Sequence, residues 1–303
     1  MQKRVLAPYK NFKSGFVAIV GAPNTGKSTL LNRILGQKIS ITSKKPQTTR
    51  NRILGIVDLP DAQLIFLDTP GIHRAGKPLN TRIVDVALSA LADVDLVLVL
   101  ADMLAPDGDA EQYMLKKLKT HATPAILALN KIDRVERSSL LARMDTWSRR
   151  FDFRALVPIS ALRGQQVDQL LKALRDALPQ GPPLYPPGSL TDMPERFIAA
   201  EMIREKAFRL TGEEIPYSVA VTVDQFKEHK KGRLVRIVAS IHVERDSQKG
   251  IVIGKGGRKL KEIGQAARRE IERMVGTQVY LKLFVRVQKN WSKDTKALRR
   301  FGY

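Results

Sequence analysis

Two different hydrophobic patterns divide the chain. In the first part, short apolar runs typical of buried strands alternate with segments whose apolar residues recur every three or four positions, as in helices. The predicted strands are Phe16–Val20, Ile53–Leu59, Leu64–Leu67, Val94–Leu100, Ala125–Leu129 and Ala155–Ile159. The predicted helices are Lys27–Leu35, Thr81–Leu91, Ala110–His121, Ser138–Arg149 and Gln165–Leu178. This alternation predicts an α/β domain with a mostly parallel sheet and helices on both faces.

The second pattern begins after a proline-rich stretch and predicts a smaller α/β domain. Its one amphipathic helix, starting near Arg258, carries an apolar stripe. The elements in order are a helix Glu195–Thr211, strands Ser218–Phe226 and Leu234–Val243, an apolar segment Ile251–Ile253, a glycine loop, the amphipathic helix, a strand Val279–Val287 and a short helix near Ser292–Arg300.

The stretch from Pro179 to Gly188 has five prolines and two glycines in ten residues. Such a composition excludes a helix or an inner strand and suits a semi-rigid linker. The sequence therefore predicts a first domain over 1–180 with its core at 14–178, a linker over 181–194, and a second domain over 195–303.

The composition of the chain excludes several classes of protein. The chain has no cysteine, which excludes a disulfide framework or a thiolate metal site. The longest apolar run, Val94–Ala101, falls far short of the roughly 20 residues that span a bilayer, and the first 16 residues do not resemble a signal peptide. We expect a soluble cytoplasmic protein.

The positive charge is uneven. The formal net charge is +22, and residues 227–303 hold 21 Lys and Arg against 7 Asp and Glu. This excess indicates a phosphate-rich partner such as nucleic acid. A solvated basic surface and a membrane surface are the alternatives that charge alone leaves open.

A phosphate-binding loop pattern, G-x-x-x-x-G-K-S, follows the first predicted strand and opens a helix. Its backbone N–H groups and the helix N-terminus can surround phosphate, Lys27 can meet the β- and γ-phosphates, and Ser28 can ligate Mg²⁺. The residues predicted to form this part of a nucleotide site are Gly21, Ala22, Pro23, Asn24, Thr25, Gly26, Lys27, Ser28 and Thr29.

Three further motifs each follow a predicted strand. Asp68 can hold Mg²⁺ through water, and the carboxylate of Asp133 can accept two hydrogen bonds from guanine, an edge that adenine lacks. Asn130 can buttress this loop, and the stem of Lys131 can lie along the base. The motif residues are Asp68, Thr69, Pro70 and Gly71, then Asn130, Lys131 and Asp133, then Ser160 and Ala161, where a backbone N–H can reach the guanine carbonyl oxygen.

With these motifs, residues 16–178 resemble the translation-factor-related GTPases, and Gly21 to Asn24 together with Gln47 to Arg50 resemble the Era family. The resemblance implies GTP and GDP as ligands, Mg²⁺ as cofactor and residues 39–52 as the first switch. It implies Thr49 as a metal ligand beside Ser28 and Asp68, with Thr48 as the alternative.

The hydrolysis machinery departs from that of many GTPases. The position just after Gly71, where a glutamine often orients the attacking water, is Ile72, so no side-chain general base is assigned. Lys27 remains the predicted catalytic side chain. Relatives with an asparagine at the place of Asn24 can recruit K⁺ near the phosphates, so the resemblance leaves a K⁺ site open.

A G-x-x-G loop precedes the amphipathic helix of the second domain. Such a loop lets a nucleic-acid backbone approach closely, beside a groove that takes about four unpaired bases. A second nucleotide-phosphate loop is disfavoured because no Ser or Thr follows the lysine. The order of elements resembles a type II KH domain. The predicted RNA-binding residues are Ile253, Gly254, Lys255, Gly256, Gly257, Arg258, Lys259 and Lys261.

A GTPase domain followed by a KH domain is the Era arrangement. It implies a GTP-hydrolysing switch that binds small-subunit (16S) ribosomal RNA near its 3′ end and acts in maturation of the 30S subunit. We expect a monomer, with peripheral association at the inner membrane left open. The rival interpretations are an RNA-binding protein whose nucleotide site is only structural, and an ATP-dependent enzyme, which Asn130 and Asp133 disfavour.

Overall fold

A computed structural model describes residues 11–42, 50–71, 93–104, 108–212, 215, 219–229 and 233–301. These residues form two compact units. The first contains the described residues of 11–40 and 50–192, and the second contains Ile41, Thr42 and the described residues from Met193 onward. The predicted helix Thr81–Leu91 lies outside the described residues.

The first unit is built on a six-stranded sheet. Its strands are β1 (Lys13–Val20), β2 (Ile53–Leu59), β3 (Ala62–Asp68), β4 (Leu96–Asp102), β5 (Ala125–Asn130) and β6 (Ala155–Ile159). They lie in the order β2-β3-β1-β4-β5-β6. Only the β2–β3 pair is antiparallel among these strands. The mostly parallel sheet predicted from the sequence is confirmed.

Helices cover both faces of this sheet. The described ones are α1 (Lys27–Leu35), α2 (Asp109–Leu118), α3 (Arg137–Ser148) and α4 (Val167–Ala177). Ala18 and Val97 of the sheet pack with Met114 of α2 and Trp147 of α3. Leu98, on the opposite face, is also fully buried. Burial on both faces explains why these strands appear in the sequence as continuous apolar runs.

The parallel strands place their carboxyl ends along one edge of the sheet. The loops that follow Val20, Asp68, Asn130 and Ile159 therefore emerge beside one another. This edge is where open α/β sheets bind their ligands. All four nucleotide motifs predicted from the sequence lie on these loops.

The proline-rich stretch lies against the sheet rather than as a free spacer. The N–H groups of Leu184 and Tyr185 donate to Gln63 Oε1 at 2.7 and 2.8 Å. The Ile56 N–H of β2 donates to the carbonyl oxygen of Leu190 at 2.9 Å. The structure thus places residues 181–192 with the first unit.

The second unit contains the elements α5 (Glu195–Leu210), β7 (Ala220–His229), β8 (Leu234–Val243), α6 (Asp246–Ile253), α7 (Arg258–Val275), β9 (Gln278–Val287) and α8 (Thr295–Arg300). Short 3-10 turns occupy Lys255–Gly257 and Trp291–Lys293. The apolar segment Ile251–Ile253 is the last turn of α6, whose first turns are too polar to stand out in the sequence.

The second sheet has the order β7-β8-β9, with β7 antiparallel and β9 parallel to β8. Its face bearing Ile237, Ala239 and Ile241 is fully buried, and α5 and α7 cover it. The opposite face is covered at one end, where the ring of Phe301 lies 4.5 Å from that of His242. The rest of that face carries polar, charged and aromatic side chains.

Helix α5 buries charged residues that its sequence pattern does not separate from its apolar ones. Arg204, fully buried, donates to Glu201 at 2.8 and 2.6 Å. Lys206 pairs with Glu205 and, on α7, with Glu270. These pairs satisfy charges that would be costly to bury alone, and they join the two helices.

None of the helices in the described part of the chain is both long and apolar enough to cross a membrane.

Candidate functional site

The loop from Gly21 to Ser28 joins β1 to α1 and is closed to larger residues at two points. A Cβ on Gly21 would lie 2.3 Å from the Leu100 carbonyl oxygen. Gly26 has φ +102, and a Cβ there would lie 2.4 Å from Asn130 Nδ2. Asn24 also adopts a positive φ of 65. Glycine is therefore required for the tight turn that brings backbone N–H groups around an anion.

Lys27 lies inside this loop. It is only 6% exposed, and its ammonium group donates to the carbonyl oxygens of Gly21 at 3.1 Å and Ala22 at 2.9 Å. Burial lowers its pKa to about 8, while the nearby carboxylate of Asp68 acts in the opposite direction. The loop thus holds a positive charge where the phosphates of a nucleotide would lie.

Asp68 ends β3 beside the loop, fully buried. Its Oδ2 accepts hydrogen bonds from the hydroxyls of Ser28 and Ser40, both at 2.7 Å. Its Oδ1 takes no hydrogen bond from any residue that the structure describes. Burial raises the pKa of Asp68, and the bonds from Ser28 and Ser40 and the charge of Lys27 oppose that shift.

This arrangement fits a magnesium ion. A buried carboxylate oxygen without a donor, next to a serine hydroxyl, supplies the hard oxygen ligands that Mg²⁺ prefers. Within the described ranges, no group of three or more His, Cys, Asp or Glu forms a separate metal cluster. Ser28 and Asp68 would therefore hold the ion together with phosphate oxygens and water. Thr48 and Thr49, the other predicted ligands, lie outside the described residues.

The loop after Asp68 is fixed to the phosphate loop. Thr69 is fully buried, and its hydroxyl donates to the Ile19 carbonyl oxygen at 2.8 Å. A Cβ on Gly71 would lie 2.9 Å from the Cα of Pro23, so this position also needs glycine. Pro70 lies between these two contacts. Position 72, the predicted departure from a water-orienting glutamine, is outside the described residues.

Asn130, at the end of β5, joins three of the loops. Its Nδ2 donates to the carbonyl oxygen of Thr25 at 2.7 Å, and its Oδ1 accepts from the N–H of Ala161 at 2.9 Å. The side chain is buried. The predicted buttressing role therefore extends from the phosphate loop to the loop after β6.

The base side of the pocket is more open. Asp133 lies in an exposed 3-10 turn, Ile132–Arg134, which follows the left-handed residue Lys131. The Lys131 ammonium group pairs with Asp102 at the end of β4. The Ala161 N–H, predicted to reach the guanine carbonyl oxygen, donates to Asn130 Oδ1 in this structure. This hydrogen bond holds the loop after β6 against the end of β5. Ser160 is buried, and its hydroxyl accepts from the Arg163 N–H at 3.1 Å.

The sequence predicts no contact for three residues of the site, although one of them, Ser40, lies within the predicted first switch. The Ser40 hydroxyl donates to the Asp68 carboxylate, and Asp102 pairs with Lys131. The guanidinium of Arg33 on α1 donates to the carbonyl oxygens of Ala161 and Leu162. Arg33 and Asp102 belong to no recognisable motif, and Ser40 is covered only by the bounds of the predicted switch. Each partner is distant in sequence, so no local pattern predicts these contacts.

The glycine loop of the second unit lies between α6 and α7, as predicted. Gly254, Gly256 and Gly257 have φ values of +69, +59 and +77. A Cβ on Gly254 would lie 2.6 Å from that of Lys259, whereas Gly256 and Gly257 face open space. The side chains of Lys255 and Arg258 are exposed next to this opening. A phosphate backbone can therefore reach the loop.

A groove of about 410 Å³ continues from the loop between α7 and β9. Leu260, Leu281 and Leu283 are its apolar lining residues, and a Cβ on Gly264 would be in van der Waals contact with Leu283 at 3.5 Å. Its lining residues are Gly257, Leu260, Lys261, Gly264, Gln265, Arg268, Leu281, Lys282 and Leu283. Of the predicted RNA-binding residues, Gly257 and Lys261 line it. Ile253, Gly254, Lys255, Gly256, Arg258 and Lys259 lie at or beside the loop.

Three features meet at one edge of the sheet: the phosphate-binding loop, the buried carboxylate that fits Mg²⁺, and the Asn-Lys-x-Asp loop that can recognise guanine. Together they define a P-loop GTPase. The glycine loop and groove add a KH domain. Comparison with family models agrees, since one described as "50S ribosome-binding GTPase" matches residues 16–131 and one described as "KH domain" matches residues 214–292.

Known relatives match over nearly the whole length. GTPase Era of Geobacter metallireducens is 56% identical over 292 residues, covering 96% of this chain and 98% of that protein. GTPase Era of Staphylococcus haemolyticus is 47% identical, covering 96% and 97%. The chain belongs to the Era family of GTPases, and it is a GTP-binding and GTP-hydrolysing enzyme.

Two solved structures share the complete fold. A variant of Aquifex aeolicus Era bound to GDP and AlF4⁻ has a TM-score of 0.92 and 42% identity, covering 96% of this chain and 99% of that one. Era in complex with MgGDPNP and nucleotides 1506–1542 of 16S ribosomal RNA has a TM-score of 0.92 and 41% identity, with the same coverage.

We expect removal of the Asn130 carboxamide to weaken nucleotide binding. Asn130→Ala leaves the Thr25 carbonyl and the Ala161 N–H without their partner, at a cost of about 1–3 kcal/mol, or roughly ten- to a hundredfold in GDP affinity. Asn130→Asp keeps an acceptor for Ala161 but places a carboxylate against the Thr25 carbonyl, so it should also bind weakly. Calorimetry with GDP measures the effect. Asn290→Gly, in the second unit, is the control, and an equal affinity in all four proteins would contradict the bridging role.

We also expect nucleotide affinity to fall at alkaline pH. The pKa of Lys27 is about 8, and bound phosphates favour its charged form. Below pH 8 the charge is already present, so affinity is flat. Above pH 8 binding must take up a proton, and affinity falls by up to about tenfold per pH unit.

GDP titrations between pH 7 and 9 test this dependence. Lys27→Arg keeps its charge throughout, so it should lack this fall while sharing any effect of base titration. Identical pH profiles for the two proteins would show that Lys27 does not titrate in this range.

Proposed function

We propose that this GTPase is a switch that binds small-subunit ribosomal RNA in the groove between α7 and β9 and acts in assembly of the 30S subunit. The observation that carries the proposal is the groove itself, which joins an open glycine loop to an apolar floor with cations along its edge. It is supported by the solved Era complex with nucleotides 1506–1542 of 16S ribosomal RNA.

The groove has the chemistry of a single-stranded RNA site. Gly256 and Gly257 leave the loop backbone open to phosphates, and Lys255 and Arg258 lie exposed beside them. Lys261, about one turn after Arg258, and Arg268, about two turns after Lys261 on the same side of α7, line the groove. The apolar floor can take unstacked bases, which paired RNA would not present.

Hydrolysis follows from the nucleotide pocket. The backbone of the loop from Gly21 to Ser28 would hold the phosphates, Lys27 would meet their charge, and Ser28 with Asp68 would hold Mg²⁺, which neutralises charge that develops during phosphoryl transfer. Asp133 would select guanine over adenine. The chain's own contribution is positioning and electrostatics, and no general base is assigned.

The switch would begin at Asp68. Ser40 donates to the same carboxylate oxygen as Ser28, and the side chain of Asn32 holds the N–H groups of Ile39 and Ser40, each at 3.0 Å. With Ser28 and the free Oδ1 of Asp68 as the groups that would hold Mg²⁺, the Ser40 hydroxyl would stay on Oδ2 and would sense the change in charge of this carboxylate. The state of the nucleotide would then be passed to the segment that starts at Ile39.

Two further features remain predictions. The chain is proposed to act as a monomer in the cytoplasm, with any contact at the inner membrane secondary to RNA binding. The G-x-x-G loop and groove support this order, because a membrane surface would need no groove for unpaired bases.

We expect Gly257→Asp to weaken binding of an RNA with the sequence of 16S nucleotides 1506–1542 at least tenfold, because the carboxylate would repel the phosphate backbone where the loop must approach it. Fluorescence anisotropy in one buffer measures this affinity. GTP hydrolysis without RNA should be unchanged.

Gly212→Asp is the matched control. Gly212 has φ +71, close to the +77 of Gly257, and a Cβ on either residue meets nothing within 4 Å. The two substitutions therefore bring the same charge and similar backbone strain. Equal RNA affinities for the two variants would refute RNA binding at the groove.

We further propose that Asn24 helps to hold K⁺ beside the phosphates during hydrolysis, in the role that an arginine finger has elsewhere. Turnover should then be about tenfold faster in KCl than in NaCl, since about 1.4 kcal/mol of transition-state stabilisation gives that factor. Asn24→Gly, which keeps the positive φ, should remove the difference. Phosphate release measured in the two salts at equal ionic strength tests this, and equal rates for the unaltered protein would exclude the ion.

A further inference from the structure

The loop after β6 is held by hydrogen bonds more than by packing. Its side chains from Leu162 to Gln166 are exposed apart from the partly buried Gly164, and Leu162 is 63% exposed. The loop closes on itself through Ser160, whose N–H donates to the carbonyl oxygen of Gln165 at 3.1 Å and whose carbonyl oxygen accepts from the Gly164 N–H at 2.7 Å. These bonds give the loop its shape, so its position in the nucleotide pocket must come from other contacts.

Ala161, at the start of this loop, is held through both of its backbone polar groups. Its N–H donates to Asn130 Oδ1 at 2.9 Å, and its carbonyl oxygen accepts from Arg33 Nε at 3.3 Å. The same guanidinium donates through Nη2 to the carbonyl oxygen of Leu162. Ala161 is buried. Two side chains that are distant in sequence, Asn130 and Arg33, therefore set where Ala161 lies.

Arg33 reaches the loop from the phosphate side of the pocket. It belongs to α1, which begins at Lys27 directly after the phosphate loop, and its stem passes Gly164, where a Cβ would lie 3.7 Å from Arg33 Cδ. A guanidinium presents its N–H groups in a rigid planar fork. Donation to two successive carbonyl groups therefore fixes both the distance and the angle of the loop relative to α1. This connection between the phosphate side and the base side is separate from the one that Asn130 makes.

We propose that Arg33 is a positioning residue for guanine recognition, which holds the loop after β6 so that the Ala161 N–H faces the carbonyl oxygen of the base. The inference rests on the proposed base pocket, in which Ala161 reads that oxygen. In this structure the same N–H donates to Asn130, so a guanine carbonyl oxygen must share this donor. A small displacement of the loop would favour one acceptor over the other. Arg33 limits that displacement, and a donor already in place costs less to engage.

A positioning role differs from a general stabilising role in what it changes. A residue that only stabilises the fold would lower the affinity for every nucleotide by the same factor, and so would the loss of a positive charge near the phosphates. A positioning residue changes the discrimination at the one ligand atom that Ala161 reads. Because Arg33 is exposed overall, its hydrogen bonds compete with water, and we expect a severalfold effect.

The experiment compares GDP with 6-thio-GDP near neutral pH. In the analogue, sulfur, a weaker acceptor, replaces the guanine carbonyl oxygen, while the groups that Asp133 would recognise are kept. The unaltered protein should prefer GDP by about tenfold, which is roughly the contribution of one hydrogen bond. Arg33→Met keeps the length of the stem without its donors and should lower this preference about three- to fivefold, chiefly through weaker GDP binding.

Competition against a fluorescent GDP analogue measures both affinities on one sample of the full-length protein. The ratio of the two affinities does not depend on the fraction of the protein that is folded. A variant that is less stable can therefore still be compared with the unaltered protein.

Two further variants separate the forked contact from charge and from a general loss of arginine. Arg33→Lys keeps the charge but cannot reach both carbonyl groups, so its preference for GDP should fall as in Arg33→Met. Arg175→Met is the matched control, since this guanidinium also joins distant parts of the first unit, from α4 to Asp61 at 3.2 Å. Its preference for GDP should equal that of the unaltered protein.

The outcomes separate the inference from the base pocket on which it rests. An unaltered protein that binds both nucleotides equally would show that Ala161 does not read the base, and the inference would fail with that contact. If the unaltered protein prefers GDP and Arg33→Met keeps the full preference, Arg33 does not position the loop, even where both affinities fall. Full preference in Arg33→Lys would assign the effect to charge, and a loss in Arg175→Met would make it unspecific. Either result would also overturn the inference.

Discussion

The nucleotide site depends on one buried carboxamide. Asn130 donates to the phosphate loop at Thr25 and accepts from Ala161, so a single rigid planar group sets the distance between the residues that would hold phosphate and those that would recognise the base. The end of β5 fixes its position, and Gly26 must lack a Cβ to let it approach. The burial of Lys27 is tolerated because two carbonyl groups of this loop accept from its ammonium group and the Asp68 carboxylate favours its charge. The sheet, the loop and the charge thus form one cooperative unit.

The two sites of the chain solve the same problem with different elements. Both must bring backbone close to phosphate, and both use glycine with positive φ to do so. In the first unit the surrounding strands are parallel and the ligand sits at their ends, where the fold itself closes the pocket. In the second unit the loop joins two helices, and the site stays open as a groove along α7. The closed pocket of the first unit suits a compact nucleotide, and the open groove of the second suits an extended RNA chain.

Most strands and the nucleotide motifs could be predicted from the sequence, because each depends on a pattern of residues close together in the chain. Apolar runs mark the strands of the first sheet, and the phosphate loop has a fixed spacing. The remainder depends on residues that are distant in sequence. Ser40 bonds to Asp68, and Asp102 pairs with Lys131, but no motif marks Ser40 or Asp102. The buried pair of Arg204 with Glu201 looks like an ordinary solvated helix face until α7 covers it. The sequence predicts only the last turn of helix α6, because its first turns are polar.

The contacts of the proline-rich stretch also affect the exposed edge of the first sheet. Strand β2 is at the margin of its sheet, where unpaired peptide groups would otherwise invite another chain to add a strand. Leu190 already accepts from Ile56, and the hydroxyl of Thr191 donates to the Leu54 carbonyl oxygen at 2.5 Å. Prolines in the same stretch lack the N–H that strand addition needs. A segment that looks like a mere connection therefore occupies part of this edge and leaves fewer of its peptide groups open to strand addition.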